Sequence, residues 1–88
     1  MSIVNFFTVY NVITEKRGYR VKYIKRIRDL REDNDLTQQE VADVLETSQT
    51  MYARYERGAN EMPIRHLIKL CRLYRVSSDY ILGLSDTK

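Results

Sequence analysis

Gln49, Thr50, Ala53, Arg54 and Arg57 recur at the spacing that lines up one face of a helix, and no acid lies among them. Carboxamides offer a donor beside an acceptor, and guanidinium groups offer a fork of donors. Both match the edges of base pairs in a DNA major groove. Glu56 falls just off this stripe. For Arg54 the competing reading is a solvated arginine paired with an acid such as Glu61, and its acid-free face favours base contact. The chemistry on offer is recognition rather than bond making. There are no paired carboxylates with a reason to meet, no nucleophile beside a base and no glycine-rich phosphate loop, so no enzyme is expected.

The flanking residues say how such a face is held. Thr37 and Ser48 are capping residues, and Gly58 offers a stop, which predicts helices from about Gln38 to Leu45 and from about Gln49 to Arg57. Val41, Ala42, Leu45, Tyr52 and Tyr55 can meet between them as packing. The link Glu46-Thr47-Ser48 is too short for an antiparallel return, so the helices must cross steeply in a helix-turn-helix. An earlier helix from Tyr23 turns Ile24, Ile27 and Leu30 inward and Lys25, Arg26, Arg28, Asp29 and Glu32 outward, ending near Asp33-Asn34-Asp35. Arg31 falls on its apolar side and needs a partner. Glu56 needs one too, because an acid in the last turn of a helix opposes the macrodipole.

Beyond the loop that ends at Pro63, a fourth helix is expected to carry Ile64, Leu67, Ile68, Cys71 and Tyr74 inward. Arg65, Lys69, Arg72 and Arg75 lie outward, and His66 is read as exposed. Ser77-Ser78-Asp79 starts a last short helix, Tyr80 to Leu82, which stops at Gly83. The tail, residues 85–88, is expected to fray.

With 88 residues the chain has room for one small domain, whose marginal core makes dimerisation a natural supplement. A single cysteine, Cys71, excludes an internal disulfide and a thiolate cluster, and reads as core filler. With one histidine there is no metal site, and no cofactor is expected. No apolar run approaches the ~20 residues of a membrane span and no signal peptide is evident, so the expected location is cytoplasmic, nucleoid-associated when bound. The net charge of +3 resides wholly in residues 1–22, so charge alone argues little for nucleic acid.

Those first residues read differently from the rest. SIVNFFTVYNVIT is rich in β-branched and aromatic types and precedes a basic, glycine-containing turn. A β-hairpin pairing residues 9–14 with 19–23 is one reading. A short extra helix through Ile3, Phe6, Phe7, Tyr10 and Ile13 is the other. The domain organisation is therefore an extension over 1–22, usable as a dimerisation arm or for a protein partner, a helical domain over 23–84 and a tail over 85–88.

From Ile24 to Leu84 the sequence resembles the lambda-repressor-like DNA-binding domains of phage repressor and Cro type. IKRIRDLRE, LTQQEVADVL, SQTMYARYERG and LIKLCRLYRVSSDYIL follow in order at that family's spacing. The resemblance implies an all-α, compact five-helix bundle whose third helix enters the major groove of double-stranded DNA, and a transcriptional regulator, most simply a repressor. It implies that Gln49, Thr50 and Arg54 read bases, that Gln38 sits against a phosphate, and that Ser48, Met51, Arg57 and Asn60 lie at the rim or on the backbone. Arg31 and Glu56 would form a structural ion pair. The residues after the fourth helix would help build a two-fold dimer on a pseudo-palindromic operator. An antitoxin-like or bridging interaction module on the same fold is the alternative. The family usually has glycine near the positions of Asp35, Glu46 and Arg75. Either these turns use another geometry or the domain accepts a cost of roughly 1 kcal/mol at each.

Overall fold

Five helices make up residues 16–88, which are what the computed structural model describes, with side chains from residue 21 onward. They are α1 (Lys16–Asp33), α2 (Gln38–Leu45), α3 (Gln49–Glu56), α4 (Ile64–Tyr74) and α5 (Ser78–Leu82), and no strand occurs among the described residues. None of these helices is long and apolar enough to cross a membrane.

Residues 19–23, read above as the second strand of a hairpin, are helical and belong to α1. Tyr23, Ile27 and Leu30 anchor α1 in the core. Once that turn is fixed, each preceding residue adds one hydrogen bond for one residue ordered, with no new nucleus to form, and propagation outweighs the strand preference of Tyr19, Val21 and Tyr23. Residues 9–14 and the competing helix through Ile3 to Ile13 lie outside the described residues.

The helix starts follow the capping residues. Thr37 Oγ1 accepts from the Glu40 amide at 3.1 Å while Glu40 Oε1 accepts from the Thr37 amide at 2.9 Å, a reciprocal capping box. Ser48 Oγ caps α3 at the Met51 amide and Ser77 Oγ caps α5 at the Tyr80 amide, both at 3.0 Å. Helix ends required more than the residue types promise. Asp35, Glu46 and Arg75 all adopt left-handed backbone, with φ of 55°, 59° and 56°. The glycine geometry is kept without glycine.

Ile27, Val41, Ala42, Leu45, Tyr52, Leu70 and Ile81 form the centre of the core. α2 packs chiefly on α3, and α1 on α5. The expected inward face of α4 is corrected: Ile64 is 75% exposed and Ile68 46%, whereas Leu70 and His66 are buried. Apolar residues occupy a broad side of this helix opposite Arg65, Lys69 and Arg72, wider than the strip that the core can bury, so their spacing leaves its exact rotation open. Packing against α2 and α5, with the Tyr55 side chain of α3 on His66, sets it. His66, read as exposed, is turned inward because Tyr55 Oη lies 3.2 Å from its Nδ1. Burial first, then the Arg65 and Lys69 cations, push its pKa below the ordinary histidine value.

The tail is tied down rather than frayed. Arg26, expected to face outward, hydrogen-bonds the Tyr80 carbonyl, the Ser85 carbonyl at 2.6 Å and Asp86 Oδ1 at 2.8 Å. Its guanidinium also stacks 4.3 Å from the centre of the Tyr80 ring.

Candidate nucleic-acid interface

Glu56 is the buried base from which the interface rises. Its side chain is 2% exposed and receives Arg31 in a two-pronged pair, Nε to Oε2 at 2.7 Å and Nη2 to Oε1 at 3.0 Å. Arg31 Nη1 also donates to the Leu36 carbonyl at 3.0 Å, which fixes the chain between α1 and α2. Arg28, a residue the sequence reading placed outward, donates from Nη2 to the Glu56 backbone carbonyl at 3.0 Å. It thereby answers the negative end of α3. A signal was available, because residues three apart on a helix share a face.

Burial raises the Glu56 pKa. Hydrogen bonds from Arg31 foremost, and the interactions of Tyr52 and Gln38, outweigh it and hold the carboxyl below its ordinary value. The Tyr52 hydroxyl is pushed above its usual range by burial and then by the neighbouring carboxylate. Tyr74 is pushed up to about 12, mainly by burial.

An ionised carboxylate only accepts, and that fact orients two glutamines above it. Gln38 Nε2 donates to Glu56 Oε1 at 3.1 Å, so the Gln38 oxygen faces away from the carboxylate and accepts from Gln49 Nε2 at 2.8 Å. The result is a ladder from Arg31 through Glu56 and Gln38 to Gln49. It spans the corner between α2 and α3 and leaves the Gln49 oxygen and its second amide hydrogen uncommitted by the ladder. Sequence spacing places Gln38 at a helix start and Gln49 at another. It does not reveal that they meet.

The other candidate residues fall into two groups. Thr50, Arg54, Arg57 and Ser48 are exposed, Gln49 and Asn60 are half-buried, and Met51 is half-buried with its side chain against the core. Arg54 Nε donates to Asn60 Oδ1 at 2.6 Å, and among the described residues no ion pair joins it to Glu61. Glu46, at the corner, turns to Lys69 Nζ on α4 at 2.9 Å and so stays off the α3 face. Among the described residues no group of histidine, cysteine or acid side chains is arranged to hold a metal ion.

A helix-turn-helix family model matches residues 27–81, which takes in the core of α1 and everything through Ile81. The chain is similar to an uncharacterized HTH-type transcriptional regulator, YobD, of Bacillus subtilis (strain 168), 41% identical over 73% of this chain and 57% of that protein. It is similar to the HTH-type transcriptional regulator ImmR of the same organism, 37% identical over 70% of this chain and 49% of the relative. A third, the cryptic phage CTXphi transcriptional repressor RstR of Vibrio cholerae, is 32% identical over 74% of this chain and 59% of its own length. The chain thus spans about half to three-fifths of these relatives. No solved structure matches it.

Proposed function

Because the chain belongs to the lambda-repressor-like helix-turn-helix family of DNA-binding regulators, we propose that it reads a specific operator through α3, as a dimeric repressor on a pseudo-palindromic site. The observation that carries this reading is the ladder that ends at Gln49. A carboxamide held by a buried ion pair meets DNA with its orientation already chosen, and its free oxygen and hydrogen suit the N6 and N7 edge of adenine. Arg54, four residues further from Ser48 along the same face than Thr50, suits guanine. Thr50 lies between, its hydroxyl suited to a hydrogen bond with a base edge and its methyl to a thymine methyl.

The backbone contacts surround this strip. Gln38 opens α2, whose first amides lack partners within the helix and favour a phosphate. Ser48, Arg57 and Asn60 flank α3, and Met51 packs at the rim. Residues 1–22 are the segment proposed for dimer contacts or for a protein partner, the role that an antitoxin-like or bridging module would need.

Selection from random duplex DNA tests the proposal. The expected product is two half-sites whose centres lie about one helical turn, roughly 10 base pairs, apart. In each half-site one position should lose its guanine preference in Arg54→Ala, by about 1 to 3 kcal/mol of discrimination. Selection of no sequence, or equal discrimination by Arg54→Ala at every position, would overturn base reading by this helix.

A further inference from the structure

The Arg54–Asn60 contact is held by the backbone on both sides. At the end of α3, the Gly58 amide donates to the Tyr55 carbonyl at 3.1 Å and the Ala59 amide to the Arg54 carbonyl at 2.9 Å. That pair of bonds is the closed helix ending that a residue at positive φ permits, and Gly58 has φ of 74°. The turn is tight in space as well: a Cβ on Gly58 would lie 2.6 Å from Ile24 Cδ1 on α1. The Asn60 amide also points at the Arg54 carbonyl, at 3.4 Å. Two successive loop amides therefore converge on the carbonyl of the same arginine whose side chain Asn60 receives. Asn60 is half-buried while Arg54 is exposed, so the fixed partner is the asparagine.

The contact uses one edge of the guanidinium only. Asn60 Oδ1 takes Nε, and among the described residues no hydrogen bond or ion pair engages Nη1 or Nη2. Those two nitrogens form the end-on fork that meets the O6 and N7 of guanine together. An arginine free to rotate would spread its donors over bases and phosphates alike. With Nε occupied, rotation about the last side-chain bonds is restricted and the fork is aimed along the side chain.

We infer that Asn60 is a positioning residue whose side-chain oxygen holds Arg54 at Nε and presents the remaining fork to one guanine, so that the loop after α3 sets sequence specificity without touching a base. The inference rests on the proposed base reading by Arg54. It differs from that reading in giving Asn60 a part in discrimination rather than in uniform phosphate binding.

The test uses the full chain and the operator selected by the unaltered protein, with every base substituted in turn at the position whose guanine preference Arg54→Ala abolishes. Failure to find such a position would refute base reading by Arg54 and, with it, this inference. Where the position exists, Asn60→Ala is expected to cut the guanine preference there roughly three- to tenfold, a fraction of the full arginine–guanine discrimination. Preference at the position read by Gln49 and the slope of affinity against salt should stay unchanged. In the Arg54→Ala background Asn60→Ala should add nothing to the loss. Asn60→Ser, whose hydroxyl is too short to reach Nε, should behave as Asn60→Ala does, and the unchanged Gln49 position reports that either variant is folded. Full guanine preference in both variants, with affinity lowered equally for all sequences, would overturn the positioning role while leaving Arg54 as the base reader.

Discussion

Removing Arg31 asks more of this molecule than the loss of one surface contact. In Arg31→Met the Glu56 carboxylate, 2% exposed, loses its two-pronged partner and keeps only the half-exposed Arg28, whose Nε lies 4.0 Å from Oε1, as a counter-charge. The expected loss is about 3 to 5 kcal/mol, measured by urea unfolding. Replacing both partners, Arg31→Met with Glu56→Leu, should return much of that stability, because two apolar side chains need no desolvation of charge. The double variant separates folding from reading. Its Gln38 has no carboxylate below it, so Gln49 loses the constraint that fixes its amide, and discrimination at the base position proposed for Gln49 should weaken in a folded protein. The residue types at 31, 38, 49 and 56 were legible in the sequence, and so was the need of Arg31 and Glu56 for partners. The ladder was not, since nothing local to α2 or α3 tells two glutamines that one carboxylate lies beneath both.

The helix ends carry a different kind of information. Capping residues announce where α2, α3 and α5 begin because the cap is a contact between neighbours in sequence. The departures from α1, α2 and α4 are less legible, because Asp35, Glu46 and Arg75 hold left-handed backbone that glycine would hold without strain. Arg75→Gly should therefore raise stability by up to about 1 kcal/mol, the relief of φ exceeding the added freedom of the unfolded chain. Glu46→Gly should also raise the melting temperature, since the Lys69 pair it removes is exposed and contributes little. A fall in melting temperature for both variants would mean that the side chains at these corners contribute more than their backbones cost.

Acid should act on the whole fold through two buried groups. His66 has a folded pKa below its ordinary 6.5, so its contribution is complete above that value and is lost as pH falls through the folded value, when the imidazole must take a proton inside the core. Glu56 is likewise lowered from its ordinary 4.5, and its contribution is lost as pH falls through its own folded value. Melting temperature followed from neutral pH downward should decline in two stages, and His66→Gln, which keeps a polar partner for Tyr55 but does not titrate there, should remove the first. A first stage that persisted in His66→Gln would assign it to another group.

The sequence by itself determined the helical class, the starts of four of the five helices to within about two residues, the sharp corner before α3 and the absence of acid from its outer strip. Each of those is a matter of neighbours along the chain: caps, spacing and short links. Only the tertiary structure decided that α1 reaches back to Lys16, that α4 turns Leu70 and His66 inward and Ile64 and Ile68 outward, and that Arg26 ties the tail. It alone joined Gln38 to Gln49 and Arg54 to Asn60. The exact rotation of a helix whose apolar side is broader than the core can bury, and the direction of a carboxamide or guanidinium, are set by partners remote in sequence or across a turn, and periodicity holds no record of them.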